Sequence, residues 1–361
     1  MHSLIKFVSD VVGSALSMLN SASAWMLFSF FVAGVIHEFV GPDKMKKSSL
    51  GSTRLSGLLW TTLTGMCLPI CSCGTIPLGV SMYYSGAYLG PTLTFMTSTP
   101  MINPIAIILA FGLLGKDIAI IYVLTGFFGP LLIGLVANRF GGDELYYKPA
   151  YENQTQPRIN LTFAKPSVPA RIKKGIHWAF TELALAISKY TVSGMLAAGV
   201  LFTVVPQSAI SRYLGDPGMV SLLGITVIAA LMYVCAVGHI PFIAALVASG
   251  AAPGVAVTFL MAGCATNVAE LLTIRKTIGR RSMLLYSGMV IALSEVAGYL
   301  TNRLLPDFVP VLNYDAVTKS ISSANALIVE VPDWFQFGCS MVLVAYACVA
   351  LLRWLKKTLS E

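Results

Sequence analysis

Three cysteines fall in one short apolar stretch, Met66-Cys67-Leu68-Pro69-Ile70-Cys71-Ser72-Cys73-Gly74-Thr75-Ile76-Pro77, together with two prolines and a glycine. Thiolates are soft ligands, and soft ligands select soft metals and metalloids. Proline removes a backbone donor and clashes with the preceding turn, so a helix cannot run through this stretch unbroken. Pro69 and Gly74 predict an unwound backbone over 71–74. In an extended chain, positions two apart point the same way. Cys71 and Cys73 can then converge on one metal or metalloid, with Cys67, one helical turn before Cys71, supplying a third thiolate. The competing reading is that membrane cysteines are small apolar fillers. Non-helical backbone at membrane depth is tolerated only when buried in protein or lining a cavity, which favours the chemical reading.

A second stretch, Cys235-Ala236-Val237-Gly238-His239-Ile240-Pro241, repeats the glycine, the proline and the first cysteine, and carries His239 where the first has Thr75. His239 is the one histidine deep in the apolar pattern; metal ligation, proton transfer and a satisfied structural role all stay open for it. Two further breaks follow, Thr97-Ser98-Thr99-Pro100-Met101-Ile102-Asn103-Pro104 and Met261-Ala262-Gly263-Cys264-Ala265-Thr266-Asn267-Val268. Asn103 and Asn267 suit either the freed backbone or a substrate, and Cys264 is an additional sulfur candidate. Glu270 and Glu295 are carboxylates inside apolar segments, which are functional candidates by default because an intramembrane charge is costly. Glu270 lies one turn after Asn267 and is, with His239, the candidate proton carrier; pairing with the basic 275–281 loop is the alternative. His37 and Glu38 read as interfacial, and Glu182 and Lys189, seven apart, as structural.

The elements that must position these residues are set by composition. The chain of 361 residues is 56% hydrophobic and 11% charged, with mean hydropathy +0.77. A soluble domain carries about a quarter charged residues, so this chain belongs in a lipid bilayer. Its net charge of +8 lies in short loops between apolar runs, a topology signal that argues against nucleic acid. Most of the seven cysteines sit in apolar runs, which speaks against a secreted disulfide framework, and no cleavable signal peptide is expected. Apolar segments read at 25–41, 55–70, 75–89, 92–113, 118–138, 182–205, 219–236, 239–250, 255–274, 283–301 and 334–352.

A shift of 164 residues lays the first half on the second without a gap, with 11 identities in 33 positions over 71–103. The matches include Ser85-Gly86-Ala87 on Ser249-Gly250-Ala251, Asn103 on Asn267 and Asn138-Arg139 on Asn302-Arg303. They are glycine, proline, asparagine and arginine rather than interchangeable aliphatics, which points to duplication. Lys and Arg mark 43–54, 139–180, 275–281 and the C-terminus as cytoplasmic. Equivalent loops then fall on opposite sides, and the two repeats are inverted, the recurring plan of secondary transporters with a site where broken helices meet. Whether 55–89 is a re-entrant hairpin or two crossings stays open.

The expected fold is therefore an all-α integral membrane protein: two inverted repeats of about five hydrophobic segments with broken or re-entrant helices, plus a C-terminal helix. The expected division is an N-terminal segment 1–24, repeat one 25–139, a cytoplasmic linker 140–181, repeat two 182–303, an extracytoplasmic loop 304–333 and a C-terminal helix with a basic tail 334–361.

No phosphate loop, His-Glu-x-x-His or Ser/His/Asp arrangement is present, so neither ATP hydrolysis nor another enzyme activity is expected, and no cofactor is called for. At Ile70-Cys71-Ser72-Cys73-Gly74-Thr75-Ile76-Pro77-Leu78, Ser85-Gly86-Ala87 and Ser98-Thr99-Pro100-Met101-Ile102-Asn103-Pro104, over about residues 25–303, the sequence resembles the permease family that includes the ArsP and YraQ proteins. The resemblance implies a multi-pass permease of the cytoplasmic membrane. Some members export trivalent arsenicals, and Cys71 and Cys73 would then be the arsenic-binding thiols. The expected function is export of a soft, thiol-reactive solute through a site of Cys67, Cys71, Cys73, Gly74, Asn103, Cys235, Gly238, His239, Cys264 and Asn267. A sulfur-containing anion or thiol metabolite is the alternative substrate, and a redox or sensor component the alternative of another class. The expected partners are the bilayer and a small-molecule or metalloid substrate; a homo-oligomer is compatible with the plan.

Overall fold

The computed structural model describes residues 2–39, 53–68, 70, 72–149, 167–204, 218–231, 236–248, 250–306, 308, 323 and 331–358. Among them the chain is helical throughout, with no strand. Helix α1 runs His2–Phe39, and is continuous across residue 24, where the sequence reading had separated an N-terminal segment from the first apolar run. Then come α2 Leu55–Cys67, α3 Ser72–Tyr84, α4 Leu89–Met101, α5 Pro104–Leu113 and α6 Lys116–Phe140. Helices α7 Val168–Trp178 and α8 Ala184–Val204 are joined by the π turn Ala179–Leu183, so residues 168–181 of the expected linker are helical. The chain continues with α9 Met219–Leu231, α10 Ala236–Ala248, α11 Pro253–Ala265, α12 Val268–Thr277, α13 Arg280–Leu304 and α14 Asp333–Thr358.

Every boundary of α2–α6, moved by 164 residues, lands on the corresponding boundary of α9–α13. The shared residues make shared bonds. Asn138 Oδ1 accepts from Gly90 N at 3.0 Å, and Asn302 Oδ1 from Gly254 N at 2.7 Å. The Thr94 hydroxyl donates to the Pro130 carbonyl, and the Thr258 hydroxyl to the Ser294 carbonyl, both at 3.1 Å. Gly86 (φ 95°) and Gly250 (φ 99°) each take the left-handed conformation. Ala87 N then bonds Met82 O as Ala251 N bonds Leu246 O, the glycine stop that ends α3 and α10. The Ser-Gly-Ala match in the sequence is this pair of helix stops.

The apolar runs 92–113 and 255–274 are each two helices. Pro100 and Pro104 in the first, and the asparagine cap in the second, bend the pairs by 43° and 40°. Helices α2, α3, α9 and α10 have 13 residues each, short of the roughly 20 that a spanning helix needs. Helices α4 and α11 form the centre. All of α4 and nearly all of α11 are buried, and the two pack on each other and on α6 and α13. Outside, Leu124, Phe128 and Leu132 on α6 and Leu284, Val296 and Leu300 on α13 are exposed, as lipid-facing side chains must be. Buried hydroxyls satisfy themselves within their own helix: Thr61, Thr62, Thr97, Thr99, Thr266 and Thr273 each donate four residues back. In lipid this is the local way to pair a polar group.

One end of the molecule gathers the charged loops. Glu38 at the end of α1 pairs with Arg171 at 3.9 Å and Lys174 at 3.5 Å on α7, and His37 stacks on Trp178 with ring centres 3.7 Å apart. The Glu144 carboxylate accepts from the backbone N–H of Arg281 and Ser282, where an acid suits the N-terminus of α13.

Candidate functional site

The cysteine-rich stretch sits between two short helices. Cys67 is the last residue of α2 and is exposed. Cys71 lies outside the described residues, as does Cys235. Cys73 is in the first turn of α3, and its side chain is outside the described set. The unwound backbone expected over 71–74 is thus corrected: α2 ends at Cys67, and from Ser72 onward the chain is helical. The convergence of Cys71 and Cys73 by extended geometry does not hold at Cys73. Gly74 has a different reason to be glycine, because a Cβ there would come within 2.5 Å of Ser29 Oγ on α1 and of Ile70 Cγ2. Pro77 is inside α3, as Pro241 is inside α10; each deprives the carbonyl four residues earlier of its helical donor, that of Cys73 and that of Val237.

In the second half, Gly238 is exposed on α10, and His239 is half-buried with its ring centre 6.0 Å from that of Phe259. Among the described residues no group of three His, Cys, Asp or Glu side chains is placed to hold a metal ion. Cys264, fully buried in α11, lies near Tyr286.

The asparagines both cap helices. Asn103 Oδ1 accepts from Ala106 N at 2.9 Å at the start of α5, and Asn267 Oδ1 accepts from Glu270 N at 2.9 Å at the start of α12. This is the bond that an N-cap side chain makes to the open first turn, and it holds each bent pair at its corner. Asn267 also donates from Nδ2 to Glu270 Oε2 at 3.1 Å. Tyr286 on α13 donates its phenol to Glu270 Oε1 at 2.9 Å. Glu270 is 1% exposed and Tyr286 0%. The Thr97 hydroxyl, from the first half, donates to the Leu93 carbonyl within α4, and α4 packs on α11, so the two bent pairs meet at the centre. The alternative for Glu270, pairing with the 275–281 loop, is not what the structure has: Arg275 and Lys276 are exposed, and the partners of the carboxylate are neutral.

Sequence reasoning missed the tyrosine. Tyr122 and Tyr286 are 164 residues apart and both fully buried; Tyr122 donates to the Met101 carbonyl, at the first corner, and Tyr286 to the acid at the second. The repeat offset alone would have paired them. A second carboxylate, Glu295 on α13, is 7% exposed and accepts from the Thr226 hydroxyl at 2.5 Å, while its Oε2 has no partner among the described residues.

Among the described residues four helices are long and apolar enough to cross a bilayer, and the two bent pairs bring the number to six where each pair counts as one span. That arrangement, with a buried acid at one break, defines a multi-pass membrane protein of the transporter class. The chain belongs to the ArsP_1 family, described as predicted permease, whose model matches residues 9–303. It is 25% identical over 360 residues to UPF0718 protein MJ0584 of Methanocaldococcus jannaschii, covering 84% of this chain and 98% of that one. It is 22% identical over 277 residues to a putative two-component membrane permease complex subunit of Streptococcus mutans, covering 76% and 88%. With UPF0718 protein YraQ of Escherichia coli it shares 20% identity over 269 residues, 74% of each chain. No solved structure matches the chain.

Proposed function

We propose that this permease is a secondary transporter that exports a soft, thiol-seeking solute of the trivalent-arsenical class. The observation that carries the reading is the break between α2 and α3, where Cys67 ends one helix and Cys73 lies in the first turn of the next, with Cys71 between them in sequence. Non-helical backbone at membrane depth is buried in protein or lines a cavity, and three cysteines fall in the sequence around this break. The thiolates would hold the solute, with Asn103, Gly238, His239, Cys264 and Asn267 at the neighbouring breaks. Proton coupling is assigned to Glu270, with His239 as the second carrier. The two halves are read as inverted: the 164-residue offset supports duplication, and the grouping of 139–149, 168–178 and 275–282 at one end supports a shared cytoplasmic side.

The test is uptake of arsenite and methylated trivalent arsenicals by everted vesicles. Cys71→Ser with Cys73→Ser should abolish it, and unchanged uptake would overturn the thiol mechanism. The beginnings of α3 and α10 at breaks also suit an anion, because a helix N-terminus carries partial positive charge. A sulfur-containing anion carried equally well by the serine variant would favour that second substrate class.

A further inference from the structure

The two halves share their helices but not their packing: among the described residues α1 lies along α3, whereas its counterpart α8 lies along α12. In the first half α3 lies along α1. Gly74 allows the close approach to Ser29, and the Ser81 hydroxyl donates to the Ala33 carbonyl at 2.7 Å. At the end of α3 an aromatic latch ties the helix to the segment after α6 and to Trp178, which itself stacks on His37 of α1. The Tyr84 ring centre is 4.7 Å from that of Tyr147 and 6.3 Å from that of Trp178. The two phenols reach across the end of the molecule, Tyr83 donating to the Glu144 carbonyl and Tyr84 to the Thr277 carbonyl.

The equivalent helices in the second half are α8 and α10. Ser193 stands where Ser29 does, Gly238 where Gly74 does, and Val247 and Ala248 where Tyr83 and Tyr84 do. Here the faces are apart. Helix α8 packs against α1, α12 and α14, and α10 against α5 and α11, with no comparable packing of α8 on α10 among the described residues. A Cβ on Gly238 would meet nothing within 4 Å. Gly238, Pro241 and Ala248 form an exposed stripe along α10, and Ser193, Leu196 and Val200 form one along α8. The residues that make close packing possible in one half are therefore kept in the other, on surfaces that do not touch. Glycine, serine and alanine at a helix face are what close helix approach in a membrane requires.

We propose that the structure is one of two access states: α1 and α3 are closed, α8 and α10 are open, and the second pair closes as the first opens. Closure brings Ser193 onto Gly238 as Ser29 lies on Gly74. The inference rests on the transporter reading above, and supplies the moving parts that alternating access needs, since a chain duplicated in this way can exchange the conformations of its halves. The aromatic latch is present in one half only, so the two closed states are held with unequal strength, and the latched state is the resting one.

The experiment is disulfide cross-linking of the full chain in membranes, compared with each single-cysteine variant. Ala33→Cys with Ser81→Cys should cross-link at once within one chain. Ser193→Cys with Gly238→Cys should also cross-link within one chain, but slowly, because that contact forms only in the alternate state. Locking the first pair should prevent the second. If the second pair never cross-links, or joins only separate chains, the open face is a fixed surface or an interface between copies and the proposal falls. As a second measure, Ser193→Trp wedges the opening without meeting packed atoms: the melting temperature should stay unchanged and solute flux should be lost. Wild-type flux in that variant would overturn the proposal. Cross-linking requires no substrate, so it can succeed even where the arsenical assay fails.

Discussion

Glu270 offers the sharpest test of how the central break works. Its carboxyl oxygens accept from Tyr286 at 2.9 Å and from Asn267 Nδ2 at 3.1 Å, and it is 1% exposed. None of these partners carries a charge. An uncompensated carboxylate at membrane depth is costly, so the coupling argument takes the acid as neutral in this state. Glu270→Gln then keeps the shape and the acceptor for Tyr286, but sets its amide nitrogen against Asn267 Nδ2, one lost hydrogen bond worth about 1 kcal/mol. Glu270→Leu leaves both the phenol and the amide as buried unpaired donors, at about 1–3 kcal/mol each. Tyr286→Phe removes one donor and should cost about 1–2 kcal/mol, since hydrogen bonds between membrane helices reach at most roughly 1.7 kcal/mol. Equilibrium unfolding in mixed micelles gives the stabilities, and uptake into proteoliposomes under an imposed pH gradient gives the coupling. The expected order of stability is wild type, then Glu270→Gln and Tyr286→Phe together, then Glu270→Leu, with pH-driven uptake lost in both Glu270 variants. If Glu270→Gln costs as much as Glu270→Leu, the native carboxyl is held as an ion. If it still transports in response to the gradient, Glu270 is not the carrier.

The duplicated bonds make paired predictions. Asn138→Ala and Asn302→Ala each orphan a backbone N–H at the head of a buried helix, Gly90 and Gly254; each should cost about 1–3 kcal/mol. The sites are on different halves, so the double variant should lose the sum by micellar unfolding. Gly134→Ala and Gly298→Ala drive a methyl into the Thr94 and Thr258 hydroxyls respectively, and overpacking of this kind costs about 1–3 kcal/mol. Trimming Thr94 to alanine should recover most of the loss in Gly134→Ala, and trimming Thr258 should recover less in Gly298→Ala, where the Gly254 carbonyl lies 2.9 Å from the added methyl.

The residues that made the fold legible are those whose backbone role is demanding. Ser85-Gly86-Ala87 and its match encode a glycine helix stop, and Asn103 and Asn267 a cap. These were visible as a 164-residue repeat because no other residue types do the same job at the same place. The cysteine stretch was less legible, since proline marks that a helix breaks without marking the residue at which the next begins. Helix α2 ended at Cys67, short of the expected 55–70, α3 started at Ser72, and Gly74 proved to serve packing against Ser29 rather than unwinding. Tyr286 was hidden by its type, because a tyrosine in an apolar run reads as bulk until a carboxylate is found beside it. The separation of α8 from α10 is of another kind. Ser193 and Gly238 are spelled like the touching pair Ser29 and Gly74, so the sequence describes the closed arrangement of both halves. On the two-state proposal, that only one half adopts it is a property of a conformational state, and closing the halves in turn is what an alternating permease would require.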